Sequence, residues 1–107
     1  GVPTVKGVTV SNAGFFANQG RDISPIPLVI PDIDAVLAGL RFGPDLLRVE
    51  NMEMEASFLC HFMSGIGARA GAICVAIANR RTNSFAKNWQ ESLDAATEAA
   101  LKTLAAS

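Results

Sequence analysis

Polar side chains that can bind a small molecule occur in three short segments of the sequence. The segments are residues 15–21, 51–55 and 79–81. In the first, Gln19 offers an amide donor and acceptor, and Arg21 offers a rigid fork of donors. With the ring of Phe15 as a stacking surface, this set suits a flat heterocycle that carries carbonyl and N–H groups. Spacing alone favours the simpler alternative, a surface loop whose phenylalanines pack on the core.

Two carboxylates, Glu53 and Glu55, stand where the sequence predicts the start of a helix. The simpler interpretation is that they complement the helix dipole. The alternative is that one of them accepts hydrogen bonds from a vicinal diol, as acidic residues do for ribose hydroxyls, with Met54 against the sugar. Because the two lie two residues apart, their side chains cannot point the same way, and they do not form a glycosidase acid/base pair.

The other reactive side chains form no pattern that indicates a catalytic triad or a metal site. His61 is the single histidine and lies off the apolar face of its predicted helix, which is typical of a partly exposed residue. Cys60 and Cys74 lack metal-ligand spacing, and we expect them to be buried thiols in a reducing cytoplasm. We expect no metal. Arg80 and Arg81 follow a predicted strand, either as a solvated pair or facing the same pocket as the first segment.

Composition excludes several classes of protein. The chain has 107 residues, of which 50% are hydrophobic and 18% charged, so a single domain with a packed core is expected. The net charge of -1 provides no basic excess, which argues against a nucleic-acid partner. The apolar runs are too short to span a membrane, and no signal peptide is visible, so we expect a cytoplasmic protein.

The elements that position these side chains alternate between strands and helices. Residues 5–10 are rich in Val and Thr and predict a strand, and the prolines at 25, 27 and 31 forbid a helix in the loop that follows. The remaining predicted elements are a helix over 33–40 capped by Asp32, an extended segment over 47–49, a helix over 54–66 that Gly65 and Gly67 end, a strand over 70–78 and a helix over 89–104.

The strand predicted over residues 70–78 decides the fold class. Its nine residues include no polar side chain, which is typical of a strand buried on both faces of a parallel sheet. Strands alternating with helices indicate the α/β class, in which ligands bind beyond the carboxyl ends of the strands, where the three polar segments lie. A sheet of two or three strands is small for such a domain, and the chain begins Gly-Val-Pro without Met, so we expect a piece of something longer.

Three stretches taken together resemble one known family. They are residues 7–21 (GVTVSNAGFFANQGR), 51–57 (NMEMEAS) and 75–80 (VAIANR). In order and spacing they are similar to the C-terminal half of the purine and uridine phosphorylase family, also called nucleoside phosphorylase-I. The Glu-Met-Glu turn marks the wider family, and the Gln-x-Arg pair after a Phe marks its pyrimidine-specific branch. The resemblance implies the C-terminal portion of a three-layer α/β/α fold with a mixed sheet, in which residues 1–107 are part of one domain.

The same resemblance implies roles for individual positions. Gln19 would pair with the uracil imide edge and Arg21 with a uracil carbonyl oxygen, and these two are the candidate catalytic residues. The other implied contacts are Phe15, Ile77, Ala78 and Arg80 with the base, and Glu53, Met54 and Glu55 with the ribose. Purine-specific relatives place an Asp near position 79 to protonate the purine; Asn79 cannot act as that acid, which lowers the purine alternative.

The implied reaction is phosphorolysis of uridine to uracil and ribose 1-phosphate, a pentosyl transfer of pyrimidine salvage. Donors fixed at the uracil carbonyl oxygens would stabilise the negative charge that grows on the leaving base. No cofactor is implied, and inorganic phosphate is the co-substrate.

The implied phosphate site lies in the N-terminal half of the family's domain, which these 107 residues do not contain. We therefore expect the isolated chain to be inactive, and its partners to be that half of the same subunit and the other subunits of a homo-oligomer, a dimer or a hexamer. The alternatives are a purine nucleoside phosphorylase or nucleosidase of the same fold, and a non-catalytic module that binds or stores nucleosides.

Overall fold

The computed structural model of the chain describes residues 2–14, 17–23 and 25–107. These residues divide into two compact units, one spanning Val5–Gly71 and the other spanning residues 72–107 with the residues before Val5, and each unit is described by itself. The first unit contains, in order, β1 (Val8–Ser11), a 3-10 turn (Ala17–Gln19), α1 (Ile33–Gly39), β2 (Val49–Glu53) and α2 (Ala56–Gly65). The second contains β3 (Ala78–Asn79), β4 (Ser84–Phe85) and α3 (Trp89–Ala105).

The first unit is built on a parallel pair of strands, β1 and β2, with a register irregularity between Val8 and Thr9. Residues opposite each other alternate in character, since Thr9 pairs with Asn51 and Ser11 with Glu53, whereas Val10 pairs with Met52. Successive side chains of a strand point to opposite faces, so over residues 9–11 and 51–53 one face of this pair is polar and the other apolar. On the polar face the Thr9 hydroxyl donates to Asn51 Oδ1 at 2.7 Å.

Gly7 allows the chain to pass close to β2 just before β1 begins. The Val8 N–H donates to the Arg48 carbonyl at 2.8 Å, which holds the two segments together. A Cβ atom on Gly7 would overlap Glu50 Cγ and would lie 3.0 Å from both the Arg48 carbonyl oxygen and Glu50 Cβ. Because a backbone oxygen is one of these neighbours, a side chain here requires the strand pair to move apart.

We expect Gly7→Ala to lower the free energy of unfolding by about 1–3 kcal/mol, the usual cost of overpacking. The matched control is Gly39→Ala at the end of α1, where an added Cβ meets nothing within 4 Å. That change should be neutral or stabilising by up to about 1 kcal/mol, because alanine favours the helix. Urea unfolding of the three proteins tests this, and equal midpoints for Gly7→Ala and the unmutated chain would contradict the close approach.

Helix α1 lies where the sequence predicts it, and Asp32 occupies its N-cap position. The Asp32 side chain makes no capping hydrogen bond, however, so the predicted capping interaction is wrong. The proline-containing segment before it is free of helix in the described residues, as expected from the fixed φ of proline and its missing N–H.

Helix α2 begins at Ala56, two residues later than predicted, because residues 51–53 extend β2 instead of opening the helix. Its end confirms the prediction based on glycine. Gly67 has φ +76°, its N–H donates to the Ser64 carbonyl at 3.1 Å, and the Ala68 N–H donates to the Met63 carbonyl at 2.8 Å. These two bonds form a Schellman motif, which needs a residue at positive φ and therefore favours glycine.

The buried strand predicted over 70–78 is wrong. Only Ala78 and Asn79 are in a strand, and they pair antiparallel with β4 instead of joining a parallel sheet. Ile73 and Ile77 are 57% and 46% exposed. An apolar run becomes a central strand only when strands flank it and layers cover it, and among the described residues its pairing is limited to β4. The described sheets are thus two separate two-stranded pairs.

Helix α3 confirms the helix predicted at the end of the chain, but the predicted core around it is wrong. Ala96 is the buried apolar residue of the described chain, whereas Leu93, Leu101 and Leu104 are 45%, 62% and 69% exposed. The same holds for α2, where Phe58 and Phe62 stack with ring centroids 6.1 Å apart but remain largely exposed. The apolar stripes exist, and no layer in the described residues covers them.

Cys60 and Cys74 are exposed and unpaired with each other, so their predicted burial is also wrong. Both belong to the uncovered apolar segments just described, which is why the sequence pattern predicted the opposite. None of the described helices is both long enough and apolar enough to cross a membrane.

Candidate functional site

The carboxylate of Glu53 joins three elements of the first unit. Glu53 is the last residue of β2, and the Ser11 hydroxyl at the end of β1 donates to its Oε1. Its Oε2 accepts hydrogen bonds from the backbone N–H groups of Glu55 and Ala56, both at 2.6 Å. These N–H groups open α2 and have no partner within the helix, so Glu53 caps the helix from outside it.

Hydrogen bonding lowers the pKa of Glu53. Partial burial acts to raise the pKa of this carboxyl group, but the hydrogen bonds from the Ser11 hydroxyl and from the backbone N–H groups of Glu55, Ala56 and Met54 outweigh it. The pKa of Glu53 therefore lies below its ordinary value of 4.5. A carboxylate that accepts several N–H bonds is stabilised in its charged form, so Glu53 stays ionised to a lower pH than an isolated glutamate does.

Ser11 completes this arrangement from the other side. Its hydroxyl oxygen accepts the backbone N–H of Ser57 in the first turn of α2 at 2.9 Å, while its proton is donated to Glu53. The N–H of the next residue, Asn12, donates to the Glu53 carbonyl at 3.0 Å. The carboxyl ends of β1 and β2 and the start of α2 are thus held together by one connected set of hydrogen bonds, which we call the Glu53 network.

The backbone of Glu55 belongs to the Glu53 network, but its side chain does not. It occupies the N-cap position of α2, its own backbone N–H is bound to Glu53, and its side chain makes no capping hydrogen bond. Both Glu55 and the neighbouring Met54 are exposed. In the turn from Glu53 to Ser57, the Glu53 carboxylate thus binds the backbone of the turn, and the Glu55 carboxylate faces solvent. The Glu55 carboxylate lies beyond the carboxyl ends of a parallel strand pair, the place where ligands bind in α/β proteins.

The predicted base-binding pair, Gln19 and Arg21, flanks a glycine turn in the same unit. Gly20 has φ +75°, and its N–H donates to the Ala17 carbonyl at 3.0 Å, which closes the 3-10 turn. A Cβ on Gly20 would lie 3.1 Å from Ile33 Cγ2, so this turn packs against the start of α1. Gln19 and Arg21 are both half-buried. Phe15, their predicted stacking partner, lies outside the described residues.

The remaining predicted base contacts belong to the second unit. Ile77 and Ala78 lead into the β3–β4 hairpin, where the Ile77 carbonyl accepts the Ala86 N–H at 2.7 Å. The guanidinium of Arg80 lies over the Phe85 ring, 5.7 Å from its centroid. This contact holds Arg80 on the hairpin itself, in a cation–π geometry.

The sequence is similar to the uridine phosphorylase of Thermococcus kodakarensis, at 32% identity over an alignment 105 positions long that covers 92% of this chain. The chain spans about a third of that relative's length, 34%. No protein-family model matches the chain, and no solved structure matches it. This similarity supports in part the resemblance noted in the three sequence stretches, because it extends over nearly the whole of this chain but over a minor part of the relative.

Ser11 is the residue of the site that the sequence analysis missed. A signal for it is present, since Thr9 and Ser11 alternate with valines on β1 while Asn51 and Glu53 alternate on β2. Two strands with polar residues at the same period of two have a polar face in common once they pair. Recognising that face requires the register, which places together residues that lie 42 positions apart in the chain.

No group of three or more potential metal ligands comes together in the part of the chain that the structure describes. His61 is exposed on α2, in keeping with the interpretation of it as a helix surface residue.

Proposed function

We propose that this chain supplies the base- and ribose-binding side of a site that cleaves uridine by phosphorolysis. The observation that carries the proposal is the Glu53 network, which fixes the turn at the end of β2 and leaves the Glu55 carboxylate exposed beside Met54. A carboxylate whose backbone is fixed and whose oxygens are open to solvent suits the two hydroxyls of a ribose. The similarity to a uridine phosphorylase supports the same assignment.

In the proposed reaction an oxygen of inorganic phosphate attacks C1′ of uridine. The C1′–N1 bond breaks, the new C1′–O bond gives ribose 1-phosphate, and uracil leaves with the bonding electron pair and then takes up a proton. Gln19 pairs with the uracil imide edge, and the Arg21 guanidinium donates to a uracil carbonyl oxygen, where negative charge grows. Such donors lower the barrier because they bind the transition state more strongly than the substrate.

The resemblance assigns the remaining base contacts to Phe15, Ile77, Ala78 and Arg80, and we propose these roles residue by residue. Met54 contacts the ribose, and Glu55 accepts from its hydroxyls. We assign Glu53 to fixing the turn, since both of its carboxylate oxygens already accept hydrogen bonds from Ser11, Glu55 and Ala56.

We further propose that the chain is the C-terminal portion of a three-layer α/β/α phosphorylase domain with a mixed sheet, whose N-terminal half carries the phosphate site. The apolar segment over 72–77 and the exposed leucines of α3 are surfaces that such a layered fold would cover. The proposed complete enzyme is a cytoplasmic homo-oligomer, either a dimer or a hexamer, that uses no cofactor besides its co-substrate phosphate.

A purine-directed enzyme of the same fold is the main competing function. In purine-specific relatives an Asp near position 79 acts as an acid, and here Asn79 Oδ1 accepts the N–H groups of Arg81 and Thr82 at 3.0 and 3.2 Å. Asn79 thus serves the hairpin turn and has no acidic proton to give. A non-catalytic nucleoside-binding module remains the competing function from another class.

The experiment that tests the proposal compares uridine with inosine, each with and without phosphate, by measuring the free base and ribose 1-phosphate that are released and, by calorimetry, the binding of each nucleoside. It is run on this chain alone and on the complete enzyme, meaning this chain preceded by the phosphate-binding half. We expect the complete enzyme to cleave uridine only when phosphate is present, and we expect the isolated chain not to cleave it. Cleavage of inosine as fast as uridine indicates the purine enzyme, cleavage without phosphate indicates a nucleosidase, and binding without cleavage indicates the storage module.

A further inference from the structure

We propose that Ser11 is a positioning residue for the sugar side of the site, and that it acts by fixing the turn which carries Glu55. The Ser11 hydroxyl makes two hydrogen bonds with this turn, one as donor and one as acceptor. Its hydroxyl donates to Glu53 Oε1 and accepts from the Ser57 N–H at 2.9 Å. A hydroxyl can do both at once because it has one proton and two lone pairs.

These two bonds hold the turn at both of its ends. Glu53 is the residue before Met54 and Glu55, and Ser57 is the second residue of α2. Between them, the N–H groups of Glu55 and Ala56 bind Glu53 Oε2, each at 2.6 Å. The backbone of Glu55 is therefore held on both sides by groups that Ser11 holds, so Ser11 acts on Glu55 through the backbone of the turn.

Removing the hydroxyl releases both ends of the turn together. Alanine at position 11 donates nothing to Glu53 and accepts nothing from Ser57, so Glu53 loses one of the bonds that favour its charged form. The backbone of the turn can then take several conformations, and the Glu55 carboxylate is no longer presented in a single position. Binding of a diol by that carboxylate becomes weaker, because part of the binding free energy is used to order the turn.

Thr9 provides a matched control within the same strand pair. Its hydroxyl lies on the same polar face, two residues before Ser11, and donates to Asn51 Oδ1 at 2.7 Å. Thr9→Val therefore removes one cross-strand hydrogen bond of similar kind without touching the turn or α2. A general weakening of the strand pair affects both variants, whereas a loss of positioning affects Ser11→Ala alone.

The first measurement uses this chain and does not depend on any substrate. Carbon-detected NMR titration gives the pKa of Glu53, and amide hydrogen exchange reports on the Ser57 N–H. In Ser11→Ala the pKa of Glu53 should rise toward its ordinary value and the Ser57 amide should exchange at least tenfold faster, a change equivalent to about one hydrogen bond. Ser11→Thr keeps the hydroxyl and should restore both values, and Thr9→Val should change neither.

The second measurement uses the complete enzyme and rests on the proposed function. In Ser11→Ala we expect KM for uridine to rise about tenfold with a smaller change in kcat, and a smaller rise in KM for 2′-deoxyuridine, which offers one hydroxyl fewer to Glu55. Ser11→Thr should restore KM. A rise in KM equal to that of Thr9→Val would show that Ser11 acts on stability alone and would overturn the positioning role.

The two measurements separate this inference from the proposed function. An unchanged Glu53 pKa and Ser57 exchange rate in Ser11→Ala overturn the role of Ser11 whatever the enzyme does. The expected NMR changes together with no cleavage of uridine support the hold of Ser11 on the turn and overturn the proposed function instead. Should Ser11→Ala fail to fold, Ser11→Cys takes its place, because the thiol is a weaker donor and should give the same changes at smaller size.

Discussion

Replacement of Arg21 by leucine is expected to lower kcat for uridine phosphorolysis by about 10²–10³-fold in the complete enzyme. Under the proposed mechanism the Arg21 guanidinium donates to the uracil carbonyl oxygen, on which negative charge develops as the C1′–N1 bond breaks. Leucine leaves that charge without a donor in the transition state. Because the interaction grows during bond cleavage, kcat should fall far more than KM rises.

Two companion variants make the Arg21 result specific. Gln19→Ala should chiefly raise KM and reduce the preference for uridine over inosine, since the uracil imide edge loses its complementary amide. Arg41→Leu removes an arginine at the end of α1 whose guanidinium donates to the Ala38 and Leu40 carbonyls at 2.9 and 2.7 Å, and it should leave the rate unchanged. Steady-state kinetics of the three variants is the measurement, and a uridine rate that survives Arg21→Leu would contradict the uridine assignment.

The second large effect is expected for Glu55→Gln. Glutamine keeps the shape of the side chain but loses the charge that strengthens its hydrogen bonds to the ribose hydroxyls. Bonds to a charged group are worth about 1.5–3 kcal/mol, so kcat/KM for uridine should fall about 10- to 150-fold. The loss should be smaller with 2′-deoxyuridine, which has fewer hydroxyls for Glu55 to accept from.

A suitable control for Glu55→Gln is Glu98→Gln on α3. The Glu98 carboxylate pairs with Lys102 at 2.7 Å, both side chains are mostly exposed, and such surface pairs contribute little. Its substitution should leave kcat/KM unchanged. Equal losses for uridine and 2′-deoxyuridine in Glu55→Gln would return Glu55 to the simpler role of complementing the helix dipole.

The parts of the structure that could be predicted from the sequence depend on local signals. The spacing of apolar residues at the period of a helix predicts α3, and Gly67 predicts the end of α2. Its positive φ is required by two backbone hydrogen bonds, from Gly67 to Ser64 and from Ala68 to Met63. Such features need only neighbours along the chain. The three-layer α/β/α fold is a different matter, because it concerns layers that the described residues do not contain, and it stays a prediction.

The wrong predictions of burial have one physical cause. Residues 70–78 and the apolar face of α2 have the patterns that predict burial. Whether a residue is buried depends, however, on which other elements pack against it, and the sequence of its own segment does not specify those elements. The Glu53 network was missed for a related reason. The sequence predicts Glu53 at a helix start, and Glu53 does stabilise that start, but it does so from the end of β2. Ser11 is brought to it by a strand pairing that no local pattern specifies.

The Glu53 network also makes the proposed sugar side of the site sensitive to acid. A carboxyl group whose pKa is lower in the folded chain than in the unfolded chain adds stability that is fully present above its ordinary value of 4.5. That stability is lost as the pH falls through the lower, folded-state pKa. Protonation of Glu53 weakens its hold on the start of α2 and on β1 in a single event, so strand pairing and helix initiation are coupled to one proton. At neutral pH this proton is absent, and the turn that carries Glu55 is held in place.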